Sequence, residues 1–163
     1  MMFRRASTRP YILRALLLGF AAGLRSQMAT AALALHHDAA PRSARWTGWI
    51  PFRWPLARTS MLLSAAGEIV GDKLPQVPSR ITAAPLAGRV AFGAFAGAAV
   101  GSERKGMAPI LTGAVLGGVG AAAGSFAGHH ARTWIVSTSG LPDLPIAVVE
   151  DAIAATIAHE AAA

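Results

Sequence analysis

Cysteine is absent from the 163 residues, so the chain has no disulfide framework, no thiolate nucleophile and no thiolate metal ligand. Charge is scarce: 14% of residues are Asp, Glu, Lys or Arg, against roughly 25% in soluble proteins. Aromatic residues make up 7%, with a single tyrosine, so a soluble core built from this chain is poor in large side chains. The Walker loop, the GxSxG elbow and the Rossmann glycine fingerprint are also missing, and with them the usual signatures of an enzyme or a bound cofactor. Adjacent histidines at His36-His37 and His129-His130 diverge on a helix and have no partner at ligand spacing, so no metal site is expected.

What remains is apolar and small. Hydrophobic residues are 53% of the chain, mean hydropathy is +0.45, and glycine occurs 17 times. Small residues suit membrane helices, whose backbones approach closely. The apolar runs are continuous, without the alternating ten-residue pattern of a barrel, so the expected fold is all-α. It is a polytopic membrane helical bundle forming one domain over residues 11–163, behind a basic tail over 1–10. Net charge is +7, with a pI near 11.5. The basic residues are scattered between apolar segments, which argues against nucleic acid and for the lipid bilayer as partner.

About four spanning segments are expected, over 11–35, 57–71, 83–101 and 107–136, with a short C-terminal helix over 144–159. A bilayer needs about 20 residues per helix, so the last is too short to span comfortably. Asp143 is placed to cap it. Arg4, Arg5, Arg9 and Arg14 ahead of Ala15–Leu24 also resemble a signal peptide, but apolar character continues past Ala29-Thr30-Ala31 to Leu35. Between the first two segments, Trp46, Trp49 and Trp54 lie among Arg42, Arg45, Arg53 and Arg58, a composition suited to the headgroup level. With four spans, seven basic residues flank one side (Arg4, Arg5, Arg9, Arg14, Lys73, Arg80, Arg132) and six the other (Arg42, Arg45, Arg53, Arg58, Arg104, Lys105). That difference sets no orientation.

Two glycine rows recur at one-turn spacing: Gly93, Gly97 and Gly101, then Gly113, Gly117, Gly120, Gly124 and Gly128. Each makes a groove that admits a neighbouring backbone. A pore lining or dimer interface is the functional reading, and helix packing within one chain is the simpler one.

Ionisable residues inside apolar segments are the functional lead, because their placement in lipid is costly. Arg25 lies mid-segment with Gly23, Ser26 and Gln27 beside it, which eases a helix break. Glu68 and Asp72 are one turn apart and expected to share an inward face with Met61, Ser64 and Ala65, leaving Leu62, Ile69 and Val70 to lipid. Carboxylates so close are what a proton carrier requires. Lys73 and Arg80 flank them, and Arg89 begins the first glycine row. Glu150 falls on the stripe Ile146, Glu150, Ile153, Ile157, with Asp151 beside it.

Ala22-Gly23-Leu24-Arg25-Ser26, Gly67-Glu68-Ile69-Val70-Gly71-Asp72-Lys73-Leu74-Pro75, Pro78-Ser79-Arg80 and Leu141-Pro142-Asp143-Leu144-Pro145 with Glu150-Asp151-Ala152 resemble a known group. It is the bacterial membrane family catalogued as domain of unknown function 4126. The resemblance covers nearly the whole chain. It implies a multi-pass protein of the bacterial cytoplasmic (inner) membrane with an uncleaved first segment, and it implies no reaction. Some relatives carry Asn-Ala-Tyr where this chain has Arg25-Ser26-Gln27.

Two functions follow. In the first, the chain is a transporter or channel component, in which Arg25, Arg89, Glu68, Asp72, Lys73, Arg80, Glu150 and Asp151 form a polar intramembrane site, within a homo-oligomer. In the second, it is a structural or accessory protein whose glycine faces bind a partner membrane protein and whose charges only fix helix packing. Catalysis on a lipid is a third reading without a nucleophile to support it.

Overall fold

The structure, a computed structural model, describes residues 10–71, 81–140 and 142–163. Asp72, Lys73 and Arg80, like Arg4, Arg5 and Arg9, lie outside the described residues. Among those described there are helices and turns but no strand. The α-helices are α1 (Tyr11–Leu24), α2 (Met28–Leu35), α3 (Ile50–Arg53), α4 (Pro55–Gly71), α5 (Ala83–Gly101), α6 (Ala108–Ser139) and α7 (Asp143–Ala162). Pro51, Pro55 and Pro109 sit in the first turns of α3, α4 and α6, where a missing N–H is harmless. Gly140 ends α6 with φ 65°, its N–H donating to the Val136 carbonyl.

Glycine determines the centre of the bundle. α5 and α6 run antiparallel, with Gly93 against Gly117, Gly97 against Gly113 and Gly101 against Pro109. A Cβ on Gly97 would lie 2.0 Å from the Gly113 carbonyl oxygen, a distance no real contact allows. α1 lies parallel to α6 on its other flank, with Gly19 on Gly117 and Gly23 on Ala121 and Gly124. Gly120 and Gly124 reciprocate, meeting the carbonyls of Leu16 and Phe20. The two glycine rows are therefore filled by neighbouring helices of the same chain. Gly128, one turn past Gly124, lines a groove between α1, α6 and α7.

The first apolar segment is not one span. α1 stops at Leu24, Arg25 is extended (φ −141°, ψ 113°), and α2 starts at Met28. α2 then doubles back. Its end, His36, lies 4.6 Å ring to ring from His159 near the end of α7. That same end of α7 meets the beginning of α1, where Arg14 donates to the Ala161 carbonyl at 2.8 Å and the Ala162 carbonyl at 3.3 Å. Arg25, at the turn, meets Asp151, about ten residues or 15 Å back along α7. α1 and α2 thus form a hairpin that enters and leaves at one end of the bundle, with its apex at mid-height.

That end also holds the α5–α6 turn and the segment between α2 and α4. Arg14 pairs with Glu103 at 2.6 Å, and the Trp46 indole N–H donates to the same carboxylate at 3.3 Å. Trp46 is buried against Phe52, which stacks on Phe95, so part of the tryptophan-rich segment turns inward while Trp54 stays exposed.

Several expectations are corrected. Among the described residues only α5 and α6 are long and apolar enough to cross a membrane, two helices instead of about four. The C-terminal helix has 20 residues, longer than expected, and Asp143 is its first residue, with Pro142 at the N-cap position. Its buried stripe is Ala147, Glu150, Asp151, Ala154, Ala158 and Ala161, while Ile153 is exposed. Alanine faces inward because only a small side chain lets α7 lie close to α1. On α4, Ala65 is buried and Glu68 largely so, but Ser64 is exposed and Leu62 and Ile69 are half-buried.

Candidate functional site

Breaking a helix leaves unsatisfied carbonyls on one side and unsatisfied N–H groups on the other. At the hairpin apex both sets meet charged side chains. Glu68 of α4 accepts the Ser26 N–H at 2.8 Å, the Ser26 hydroxyl at 2.9 Å and the Gln27 N–H at 2.9 Å. Arg89 of α5 donates to the Gly23 carbonyl at 3.1 Å and the Leu24 carbonyl at 2.9 Å. Ser125 of α6 donates to the Gly23 carbonyl at 3.1 Å, sharing its proton with the Ala121 carbonyl. A carboxylate thus stands at the positive end of α2 and a guanidinium at the negative end of α1. The two charges face each other at 3.5 Å.

The Arg25 side chain leaves the apex in the other direction. It is 1% exposed, and its Nε donates to the Asp151 carboxylate of α7. Glu150, next along α7, faces Arg132 of α6 at 3.7 Å, and Arg132 Nε donates to Asp143 at 2.6 Å. Arg25, Glu68, Arg89 and Asp151 therefore form two ion pairs at the apex, drawn from four places far apart in sequence.

Two grooves approach this point. One, of about 360 Å³, is lined by Gln27, Thr30, Pro51, Met61, Gly88, Ala91, Phe92 and Phe95. The other, of about 230 Å³, lies between α1, α6 and α7, lined by Phe20, Leu24, Ile146, Val149 and Ile153, with Arg132 and Glu150 as its charged members. Both are mainly apolar. Among the described residues no group of three His, Asp or Glu side chains is placed to hold a metal ion.

Sequence reasoning passed over Ser26, Gln27 and Ser125 as apex partners, Arg132 as the partner of Glu150, and the Arg14–Glu103 pair. Arg14 carried a signal, being a second arginine inside the first apolar segment. Ser125 also carried one, as the lone hydroxyl over 113–132 in a stretch rich in glycine and alanine. Arg132 carried none, because its partners come from another helix.

No protein-family model matches the chain, and neither the curated proteins nor the solved structures yield a match.

Proposed function

We propose that the chain is a multi-pass protein of the bacterial cytoplasmic membrane and a component of a transporter or channel, with the hairpin apex as its site. Its inverted polarity supports the membrane reading. Leu111, Val115 and Val119 of α6, Leu63 and Val70 of α4, and Trp134 are exposed, whereas Arg14, Arg25 and Arg89 are buried. In water such a surface would aggregate, and in lipid it is the expected one. α5 and α6 cross, α4 packs on α2, α7 packs on α1, α2 and α6, and α1–α2 enters to mid-depth and returns.

The observation that carries the functional reading is the broken backbone at mid-height with Glu68 and Arg89 on its two ends. A straight helix over 11–35 would satisfy its own backbone with no charge at all. Helix breaks with dipole ends facing ions are how transporters build sites near the midplane. Three of the segments that resemble the domain of unknown function 4126 family, around Arg25, Glu68 and Asp151, meet at this point, which suits membership of that family and a shared role there. Arg25 and Arg89 suit an anionic group, and Glu68 and Asp151 suit a proton or cation.

A specific observation favours a second reading, a structural or accessory protein. Arg25–Asp151 and Arg89–Glu68 are closed pairs, and the grooves beside them are largely apolar. On this account the charges only hold the hairpin. Purified protein in vesicles, assayed with indicator dyes for proton, sodium and chloride flux, separates the two. The site reading expects a flux that Glu68→Gln removes while the protein stays folded. Flux no greater than that of empty vesicles leaves the accessory reading standing.

A further inference from the structure

The hairpin changes which basic residues share a side. If residues 11–35 crossed straight through, Arg14 and the Arg42–Arg58 segment would lie on opposite sides. Because α2 returns, the beginning of α1, the segment between α2 and α4, and the α5–α6 turn all lie at one end. That end gathers Arg14, Arg42, Arg45, Arg53, Arg58, Arg104 and Lys105, seven of the described cations. At the other end the described residues contribute Arg132 alone, and it is neutralised by Asp143 and Glu150. The chain order adds Arg4, Arg5 and Arg9 ahead of α1, and Lys73 and Arg80 between α4 and α5.

Five of the seven cations at the first end are not spent on acids. Arg42, Arg45, Arg53, Arg104 and Lys105 are exposed, and no ion pair involves them among the described residues. Arg14 and Arg58 account for Glu103 and Asp38. Interleaved with the exposed cations are exposed apolar side chains, Ile50, Trp54 and Leu56, with the Arg53 guanidinium 5.8 Å from the Trp54 ring centre. Free cations beside aromatic and aliphatic side chains are what the phosphate and upper acyl region of an anionic leaflet accepts.

We propose that the Arg14 end of the bundle is the cytoplasmic face, and that its rim of Arg42, Arg45, Arg53, Arg104 and Lys105 binds anionic phospholipid headgroups. This rests on the membrane reading above and is independent of whether the apex transports anything. Short loops rich in Lys and Arg stay on the cytoplasmic side, and here the asymmetry comes from tertiary structure.

The natural chain has no cysteine, so single cysteines report directly on topology. Ser43→Cys samples the basic end and Ser137→Cys the other, both at exposed positions. In intact spheroplasts a membrane-impermeant maleimide is expected to label Ser137→Cys, and to label Ser43→Cys only after permeabilisation. Changing the five rim cations to Gln is expected to abolish that bias. In vesicles carrying brominated phosphatidylglycerol, tryptophan fluorescence of a Trp134→Phe variant is expected to be quenched more than with brominated phosphatidylcholine, and the five-Gln variant to lose the difference. Reversed or mixed labelling of the unaltered rim, or equal quenching by the two lipids, overturns the proposal. Recovery of the chain from the soluble fraction overturns the membrane reading instead.

Discussion

Glu68 has more to hold than any other side chain at the apex, with two backbone N–H groups, a hydroxyl and a guanidinium on one carboxylate. Glu68→Gln keeps an acceptor but turns an amide NH2 toward donors and removes the attraction for Arg89. A cost of about 1–3 kcal/mol follows from leaving those groups unsatisfied. Hydrogen exchange at the Ser26 and Gln27 amides is the direct measurement, and both are expected to exchange faster while α5 and α6 stay protected. Unchanged exchange would mean that Glu68 does not hold the turn. Arg25 and Asp151 make a second test. Asp151→Ala removes the carboxylate facing a buried guanidinium and is expected to cost about 3–5 kcal/mol in detergent unfolding, whereas Arg25→Met with Asp151→Leu recovers most of it. At this scale the sequence was informative. Arg25, Glu68, Arg89, Glu150 and Asp151 stand out because lipid-facing helices do not carry them. Their partners were not legible, since nothing local ties Arg25 to Asp151 rather than to Glu68.

At the level of elements, glycine decides how close the helices come. Gly97→Ala would put a Cβ 2.0 Å from a backbone oxygen that cannot rotate away, so α5 and α6 must separate. Overpacking of this kind costs about 1–3 kcal/mol. Gly67→Ala, with no atom within 4 Å of its Cβ, is the control and is expected to leave stability unchanged or slightly raised. Thermal melts of both variants in detergent check the contrast, and equal melting points would remove glycine contact as the organising force. The rows were readable from one-turn spacing alone. What they touch was not, because a glycine groove accepts a helix of the same chain or of another equally well. The break after Leu24 was foreshadowed by Gly23, Ser26 and Gln27, yet those residues carry no information about the direction of α2. Backbone geometry at Arg25 and the pull of Glu68 on the N–H groups of Ser26 and Gln27 set that direction.

For the whole molecule, the hairpin moves one connection to the other side of the bundle, and this is open to a simple test. A reporter fused ahead of Met1 and a cysteine at Ser43 are expected on the same side of the membrane. Opposite sides would restore a straight first span and dismantle the apex. The topology also explains why a count of flanking charges along the chain balanced so evenly: it assigned the N-terminal arginines and the tryptophan-rich segment to opposite faces. By itself, the sequence determined the helical class, the apolar surface, the glycine rows and the ionisable residues inside apolar segments. These follow from composition and one-turn periodicity, which are local properties. Tertiary structure alone decided that α2 returns beside α1, that Glu68 and Arg89 terminate the broken helix, and that the cations share one end. Each of these depends on contacts between residues 42 to 126 positions apart, and no helical period carries that information.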